Sequence, residues 1–260
     1  MKIPLYQFDA FTRQPFGGNP AAICVLDEWL DEDVMQHIAA ENNVSETAFF
    51  VGSKGNYDLR WFTPEVEIDL CGHATLATAH LILNHMEPSI SEVRFNTKSG
   101  ELSVSRDGDM LSMLFPARPP TPIDVPAGII EAFKTEPVEV FQSRDMLALF
   151  ETEKQVRDLS PDFGALAGLE SGFAVIVTAR GDEVDFVSRF FAPNAGIPED
   201  PVTGSAHCTL IPFWSVRLNK TRLLAKQVSK RGGDLFCEHL GDQVRISGYV
   251  TEYSHGHIFV

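Results

Sequence analysis

The chain has 260 residues, and 44% of them are hydrophobic, which is enough for a packed core in one large domain or in two of roughly 130 residues. It carries 21 Lys and Arg against 36 Asp and Glu, so its net charge is −15 at pH 7. A surface this acidic repels phosphate backbones and anionic lipids, which argues against nucleic-acid and membrane partners. The N-terminus lacks the pattern of a signal peptide, and no apolar run approaches the roughly 18 residues of a spanning helix, so a cytoplasmic location is predicted.

The first predicted elements are a strand, a turn and an outer helix. YQFDAF at 6–11 is typical of a strand, and Gly-Gly-Asn-Pro at 17–20 predicts a turn before the apolar run AAICVL. The turn glycines could bring Asn19 to a ligand, although a plain turn is the simpler interpretation. Segment 30–42 has acidic residues in its first turn and spaced apolar positions, which predicts an amphipathic helix on the outside of the fold.

A hairpin followed by a glycine-led helix is predicted twice. Residues 46–64 and 175–193 each contain an apolar run, a glycine turn and a second run that ends in Arg-aromatic-Phe-x-Pro. Apolar helices buried inside a curled sheet are predicted from Gly72 and Gly204, with buried strands as the alternative. Pro212 predicts a kink or an end in the second helix. The pairs that align the two copies, each 129 positions apart, are Gly52 and Gly181, Arg60 and Arg189, Trp61 and Phe190, Phe62 and Phe191, and Pro64 and Pro193.

Strands dominate the rest of the chain, for example at 101–115 and 243–249. Five prolines within residues 116–126 predict a linker. We therefore divide the chain into an N-terminal lobe of residues 1–118, to which the C-terminal strand could return, and a C-terminal lobe of residues 119–260.

Common cofactor and metal motifs are missing from the sequence. No GxGxxG precedes a helix, and neither GxxxxGK[ST] nor GxSxG occurs, which disfavours nucleotide binding and α/β-hydrolase chemistry. His80 and His85 lie seven and twelve positions after His73, so they do not form the i, i+4 pair of a helical zinc site. The four cysteines are scattered and include no CxxC pair, so reduced thiols are predicted. No metal and no cofactor are expected.

The two helix starts are candidate binding features. A helix N-terminus presents unpaired N–H groups and about half a positive charge, so it binds carboxylates and stabilises developing oxyanions. A glycine there, as at Gly72 and Gly204, lets a ligand approach the backbone closely. Two such termini related by a pseudo-twofold axis would meet at the interface of the lobes. Their duplication beside His73 and Asp200 argues against glycines that serve only tight turns.

Three titratable side chains are candidate acid/base groups. His73 lies in the first turn of its helix, where the positive end of the dipole disfavours an imidazolium, so a neutral ring is expected. Asp200 lies four residues before the second helix start, where a loop carboxylate or an N-cap-like anion is an equally good interpretation. Glu46 stands at the entrance to an apolar strand, and desolvation there would bring a carboxylate toward acid/base work at neutral pH. An exposed glutamate at a strand end is the alternative.

These segments together resemble the PhzF-like family, which is related to phenazine-biosynthesis isomerases and built on the diaminopimelate-epimerase fold. The resemblance implies an α+β fold with two pseudo-twofold-related lobes, each a curled mixed β-sheet around a central helix, with the site between them. It also implies a homodimer. The motifs that carry the resemblance are, in chain order, FDAFTRQPFGGNPAAI, NNVSETAFF, RWFTPEVEIDLCGHATLATAH and EDPVTGSAH.

The same resemblance assigns roles to residues. It implies that Glu46 is the acid/base and that His73 and Asp200 assist it. The predicted substrate-binding residues are Asn19, Ser45, Cys71, Gly72, Thr203, Gly204 and Ser205.

The function predicted from these residues is a cofactor-independent isomerase that moves a proton on a small substrate that carries a carboxylate. Diaminopimelate epimerase uses two opposed thiols, one before each helix-start glycine. Cys71 occupies the first of these places, but Thr203 occupies the second, and a hydroxyl cannot serve as a matching base. The alternatives are an amino-acid epimerase or racemase of the same fold and a non-catalytic protein that binds a small metabolite.

Overall fold

The structure is a computed structural model that describes residues 1–169 and 173–260. The chain divides into two compact units, the first formed by residues 1–114 with 247–260 and the second by residues 115–246. Both units are mixed α+β. Among the residues described, no helix combines the length and the apolar character needed to cross a bilayer.

The secondary structure is dominated by strands. The strands are β1 (Lys2–Ala10), β2 (Asn19–Val25), β3 (Glu46–Ser53), β4 (Asn56–Phe62), β5 (Glu67–Ile68), β6 (Glu92–Thr97), β7 (Gly100–Asp107), β8 (Met110–Pro116), β9 (Thr121–Ile123), β10 (Glu139–Gln142), β11 (Met146–Leu149), β12 (Val175–Arg180), β13 (Phe186–Ala192), β14 (Ile197–Asp200), β15 (Arg222–Gln227), β16 (Gly233–His239), β17 (Gln243–Gly248) and β18 (Val250–Phe259). The α-helices are α1 (Glu32–Asn42), α2 (Gly72–Leu81), α3 (Ala127–Phe133), α4 (Glu153–Asp158), α5 (Phe163–Ala167) and α6 (Gly204–Leu218). A π-helical segment, Ile82–Met86, continues α2, and a short 3₁₀ turn, Pro193–Ala195, follows β13.

The two units repeat one order of strand pairing. In the first, β1–β2 is antiparallel, β2–β3 parallel, β3–β4 antiparallel, β4–β6 parallel and β6–β7 antiparallel. In the second, β10–β11, β11–β12, β12–β13, β13–β15 and β15–β16 follow the same sequence of directions. The two predicted hairpins are β3–β4 and β12–β13. The internal repeat read from the sequence is therefore confirmed as a repeat of supersecondary structure.

Each unit contains one long helix that is buried on nearly every face, as predicted. These helices are α2 and α6, and α6 passes Pro212 and ends only at Leu218. The expectation that Pro212 would end the helix is wrong. Proline has no N–H to donate to the carbonyl of Cys208, and the backbone N–H of Arg118 donates to that carbonyl instead, at 2.8 Å. Because no buried acceptor is left unpaired there, the helix continues.

The predicted outer helix is α1, which covers the first unit with one face. Its buried residues Met35 and Ile38 belong to the same core cluster as Phe49 of β3 and Phe62 of β4. Burying a side chain of this size contributes about 1.5–3 kcal/mol. Packing of this kind explains why a helix with acidic residues in its first turn stays on the sheet.

Two segments differ from the sequence-based expectation. Residues 116–126 are not a plain linker, since they contain β9, where Pro122 lies opposite Phe141 of β10. Proline is tolerated in such a short strand because it need not donate at an edge. Residues 101–115 form a hairpin, in which β7 and β8 pair antiparallel, rather than one strand.

The arginine of each repeat fixes the short strand after its hairpin. Arg60 donates from Nε and Nη2 to the two carboxylate oxygens of Glu67 in β5, both at 2.7 Å. Arg189 makes the same bidentate contact with Glu199 in β14, at 2.7 and 3.0 Å. The Arg-aromatic-Phe-x-Pro pattern therefore marks a repeated ion pair that holds the chain just before each central helix.

Candidate active site

Glu46 is buried at the start of β3. The parallel neighbour β2 places Ala21 opposite it, and the next four residues of β3, Thr47 to Phe50, are buried and mostly apolar. Only 8% of its side chain is exposed. The alternative of an exposed glutamate at a strand end is therefore wrong.

His73 contacts both Glu46 and Cys71. Cys71 is the N-cap residue of α2, and its carbonyl accepts hydrogen bonds from the backbone N–H and the hydroxyl of Thr75, at 3.2 and 2.5 Å. These bonds fix the first turn, which carries His73. His73 Nε2 lies 3.0 Å from Glu46 Oε2, and His73 Nδ1 lies 3.5 Å from Cys71 Sγ. One imidazole thus connects a buried carboxylate to a buried thiol.

The charge state of His73 differs from the one expected from the sequence. Burial by itself lowers the pKa of His73, but its contacts with Cys71 and Glu46 outweigh burial and raise that pKa well above 6.5. Burial, and then Glu46, raise the pKa of the Cys71 thiol. This direction is opposite to the one that the helix dipole predicts for a neutral ring. Groups in direct contact with the imidazole outweigh the partial charge of a helix terminus.

Asn19 completes the surroundings of the imidazole. It is fully buried at the start of β2, and its Nδ2 lies 3.1 Å from His73 Nδ1. The turn before it requires Gly18, which has φ +62° and where a Cβ would lie 2.1 Å from the carbonyl oxygen of Ala10. A neutral ring accepts from the amide nitrogen, and a half-turn of the amide presents its oxygen to an imidazolium. Asn19 can therefore serve either charge state of His73.

Removal of the Glu46 charge should be visible in the titration of His73. In Glu46→Gln we expect the pKa of His73 to fall, because burial, which lowers it, remains while the carboxylate, which raises it, is lost. In the wild type, the raised pKa means that the contact stabilises the fold fully below about pH 6.5 and that this contribution is lost as pH rises through the folded pKa. NMR of the histidine ring signals across pH measures the titration of His73 in the wild type and in the variant, and exposed His37 is the internal control. An unchanged His73 titration in the variant would contradict the pairing.

In the second unit, the motif EDPVTGSAH forms a hydrogen-bonded group around a buried glutamine. The hydroxyl of Thr203 donates to Asp200 Oδ2 at 2.5 Å. Gln227 accepts from the backbone N–H of Thr203 at 2.9 Å and donates to the Asp200 carbonyl at 2.8 Å. Thr203 is the N-cap residue of α6, which begins at Gly204. These bonds fix the start of α6, and a catalytic role for Asp200 stays a prediction.

The sites predicted from the sequence thus form one group in each unit. In the first unit, Ser45 and Gly72 are partly buried and flank Glu46 and His73 in the chain. In the second, Ser205 Oγ accepts from Arg144 Nη2 at 3.2 Å. The first-unit group is Asn19, Ser45, Glu46, Cys71, Gly72 and His73, and the second-unit group is Asp200, Thr203, Gly204 and Ser205.

The model of the phenazine biosynthesis-like family, PhzC-PhzF, matches residues 8–256. The chain belongs to this family. An uncharacterized isomerase of Pseudomonas aeruginosa is 52% identical over 256 residues, with 98% of each chain covered. The crystal structure of a PhzF family protein from Enterococcus faecalis is 47% identical and covers 100% of both chains with a TM-score of 0.98. The crystal structure of a hydroxyproline epimerase from Agrobacterium vitis is 10% identical, and the match covers 99% of this chain and 92% of the epimerase chain with a TM-score of 0.63. At this identity the likeness shows the fold alone.

These comparisons confirm the diaminopimelate-epimerase-like α+β fold that the motifs predicted. Membership of the PhzF family, together with relatives named as isomerases, supports an isomerase-type function.

Some residues around the motifs of this PhzF-family protein carry no signal in the sequence. Gln227 and Arg144 lie far along the chain from Thr203 and Ser205, which they contact, so no local spacing marks them as part of this group. Thr75 and His207 do have a spacing signal. Each lies four residues after the N-cap residue of its helix and contacts the carbonyl oxygen of that residue. Thr75 Oγ1 is 2.5 Å from the Cys71 carbonyl, and His207 Nδ1 is 2.8 Å from the Thr203 carbonyl.

Proposed function

We propose that the protein is a cofactor-independent isomerase that moves a proton between two carbons of a small substrate carrying a carboxylate, with Glu46 as the base. The observation that carries the proposal is the buried 3.0 Å contact of Glu46 with His73 at the N-terminus of α2. It supplies a proton acceptor, a proton donor and a helix terminus in one place. Perturbed titratable groups of this kind cluster at functional sites.

The proposed reaction begins when the Glu46 carboxylate takes a proton from an acidic C–H of the substrate. The electron pair left on carbon delocalises into the adjacent carbonyl or double bond as an enolate-like charge. The imidazolium of His73 and the free N–H groups at the start of α2 stabilise that charge. The protonated Glu46 exchanges its proton with water while the charged intermediate is bound and then delivers a proton to another carbon, so the product is an isomer and the enzyme is restored.

The charge states favour Glu46 over Cys71 as the base. A thiol must lose its proton before it can accept one, and burial raises the pKa of Cys71 instead of lowering it. Thr203 occupies the position of the second thiol of diaminopimelate epimerase, and its hydroxyl already donates to Asp200. Racemisation by two thiols is thus the weaker alternative for this chain.

Hydrogen exchange in deuterated water tests the proposal. We expect the protein, incubated with a panel of small carboxylates that bear an acidic C–H next to a double bond, to move the double bond of at least one compound and to place deuterium at the new C–H position. NMR of the products measures both effects. Exchange with inversion at a single carbon, abolished by Cys71→Ala, would instead identify an epimerase. Tight binding without any exchange would identify a binding protein.

A further inference from the structure

We propose that Glu46, Cys71 and His73 form a capture site for a thiophilic divalent cation of the zinc class, and that the bound cation inhibits the enzyme by occupying its base. The binding step stands independently of the reaction proposed above. The inhibition rests on that proposed function, because it requires Glu46 to act as the base.

The spacing of the ligand atoms fits a tetrahedral metal. Zinc–sulfur and zinc–nitrogen bonds of about 2.3 and 2.0–2.1 Å place a thiolate and an imidazole about 3.5 Å apart. Cys71 Sγ and His73 Nδ1 are 3.5 Å apart. One ligand atom from each of Glu46, Cys71 and His73 lies within 4.8 Å of the other two. Glu46 lies beside Nε2 and Cys71 beside Nδ1 of His73, so coordination by all three requires the carboxylate or the imidazole to turn toward a common point.

The chemistry of the set also fits zinc. Thiolate, imidazole and carboxylate are all zinc ligands, and three protein ligands leave a fourth position for water. Coordination forms one bond each to sulfur, nitrogen and oxygen, sends the thiol and imidazolium protons to solvent, and transfers no electrons. A dication with one thiolate, one carboxylate and a neutral imidazole has no net charge. Its burial therefore avoids the cost of an uncompensated charge.

Another histidine group on the surface provides a competing location and a control. His85 Nε2 lies 3.8 Å from Glu252 Oε2, and His255 Nδ1 lies 2.6 Å from Glu252 Oε1. This group has no thiol, and its two histidines are largely exposed. Metal bound there would show no sulfur coordination. A double variant, His85→Ala with His255→Ala, removes it without changing the buried group.

The test is a titration of the reduced, metal-free protein with cobalt and then zinc. We expect one equivalent of Co²⁺ to produce the near-ultraviolet thiolate-to-cobalt charge-transfer band and Zn²⁺ to displace it. Cys71→Ser should abolish the band and weaken zinc binding by more than about 100-fold, since loss of a ligand exceeds the loss of an outer-shell partner. Cys24→Ser, which changes another buried thiol, should keep the charge-transfer band and the zinc affinity of the wild type. Thermal unfolding of each variant shows that it is folded.

The same titration contains the results that would overturn the proposal. A band that persists in Cys71→Ser, or zinc binding that is lost in the double histidine variant, would place the metal elsewhere. In the exchange assay, zinc should inhibit with the affinity measured by titration, and a chelator should restore activity. If the cobalt band appears but no substrate of the panel exchanges, the metal site stands and the proposed isomerase fails. If exchange occurs but the cobalt band is absent, the proposed isomerase stands and the metal site fails.

Discussion

Glu46→Gln is expected to lower turnover by about 10²–10⁴-fold, the usual contribution of a positioned acid/base group. The amide has the size of the carboxylate and can keep the contact with His73 Nε2, which lies 3.0 Å from Glu46 Oε2 in the wild type. It cannot accept a proton from carbon. The chemical step is therefore lost while the packing at the start of β3 is kept. Steady-state rates on the compound found by hydrogen exchange measure the effect.

Two variants make this result specific. Glu41→Gln, on an exposed position of α1, changes the same functional group and should keep full activity. Glu46→Asp keeps the carboxylate but withdraws it from the substrate, so we expect activity between the wild type and Glu46→Gln. Near-normal turnover in a folded Glu46→Gln protein would remove Glu46 from the mechanism.

Arg189→Ala is expected to lower the free energy of unfolding by about 3–5 kcal/mol, because it leaves a partly buried carboxylate without its partner. The Arg189 side chain is 10% exposed and contacts both oxygens of Glu199. Its Nη1 also donates to the carbonyls of Val156 and Leu159, at 3.1 and 2.7 Å. These acceptors at the end of α4 lose their donor as well. Denaturant unfolding monitored by circular dichroism measures the change.

The internal repeat supplies the matched control for this prediction. Arg60 makes the same bidentate contact with Glu67, but its side chain is 21% exposed. Lys98 Nζ also contacts Glu67, so this carboxylate keeps a cationic partner when Arg60 is removed, and Arg60→Ala should cost less than Arg189→Ala. A double-mutant cycle of Arg189→Ala with Glu199→Ala isolates the ion pair from the carbonyl contacts. Equal losses for the two arginines would contradict the protection of Glu67 by Lys98.

Local chemistry explains how much of the fold could be predicted. Alternating apolar residues, a glycine turn and a terminal proline predict each hairpin, and an apolar run after a glycine predicts each central helix. Pro212 is the case in which such a rule fails. Its effect on α6 depends on whether another donor reaches the Cys208 carbonyl, and Arg118, far away in the sequence, supplies it.

The same division between local and tertiary information applies to the candidate site. The sequence by itself determined the repeated hairpin and helix plan, the family motifs and the place of Glu46 at a strand entrance, because these depend on residues close together in the chain. Only the tertiary structure decided that Cys71 and Glu46 lie on either side of His73, that the pKa of this ring is raised, and that Gln227 holds the start of α6. Charge state and hydrogen-bond partners follow from distances across the fold, and a sequence pattern does not contain those distances.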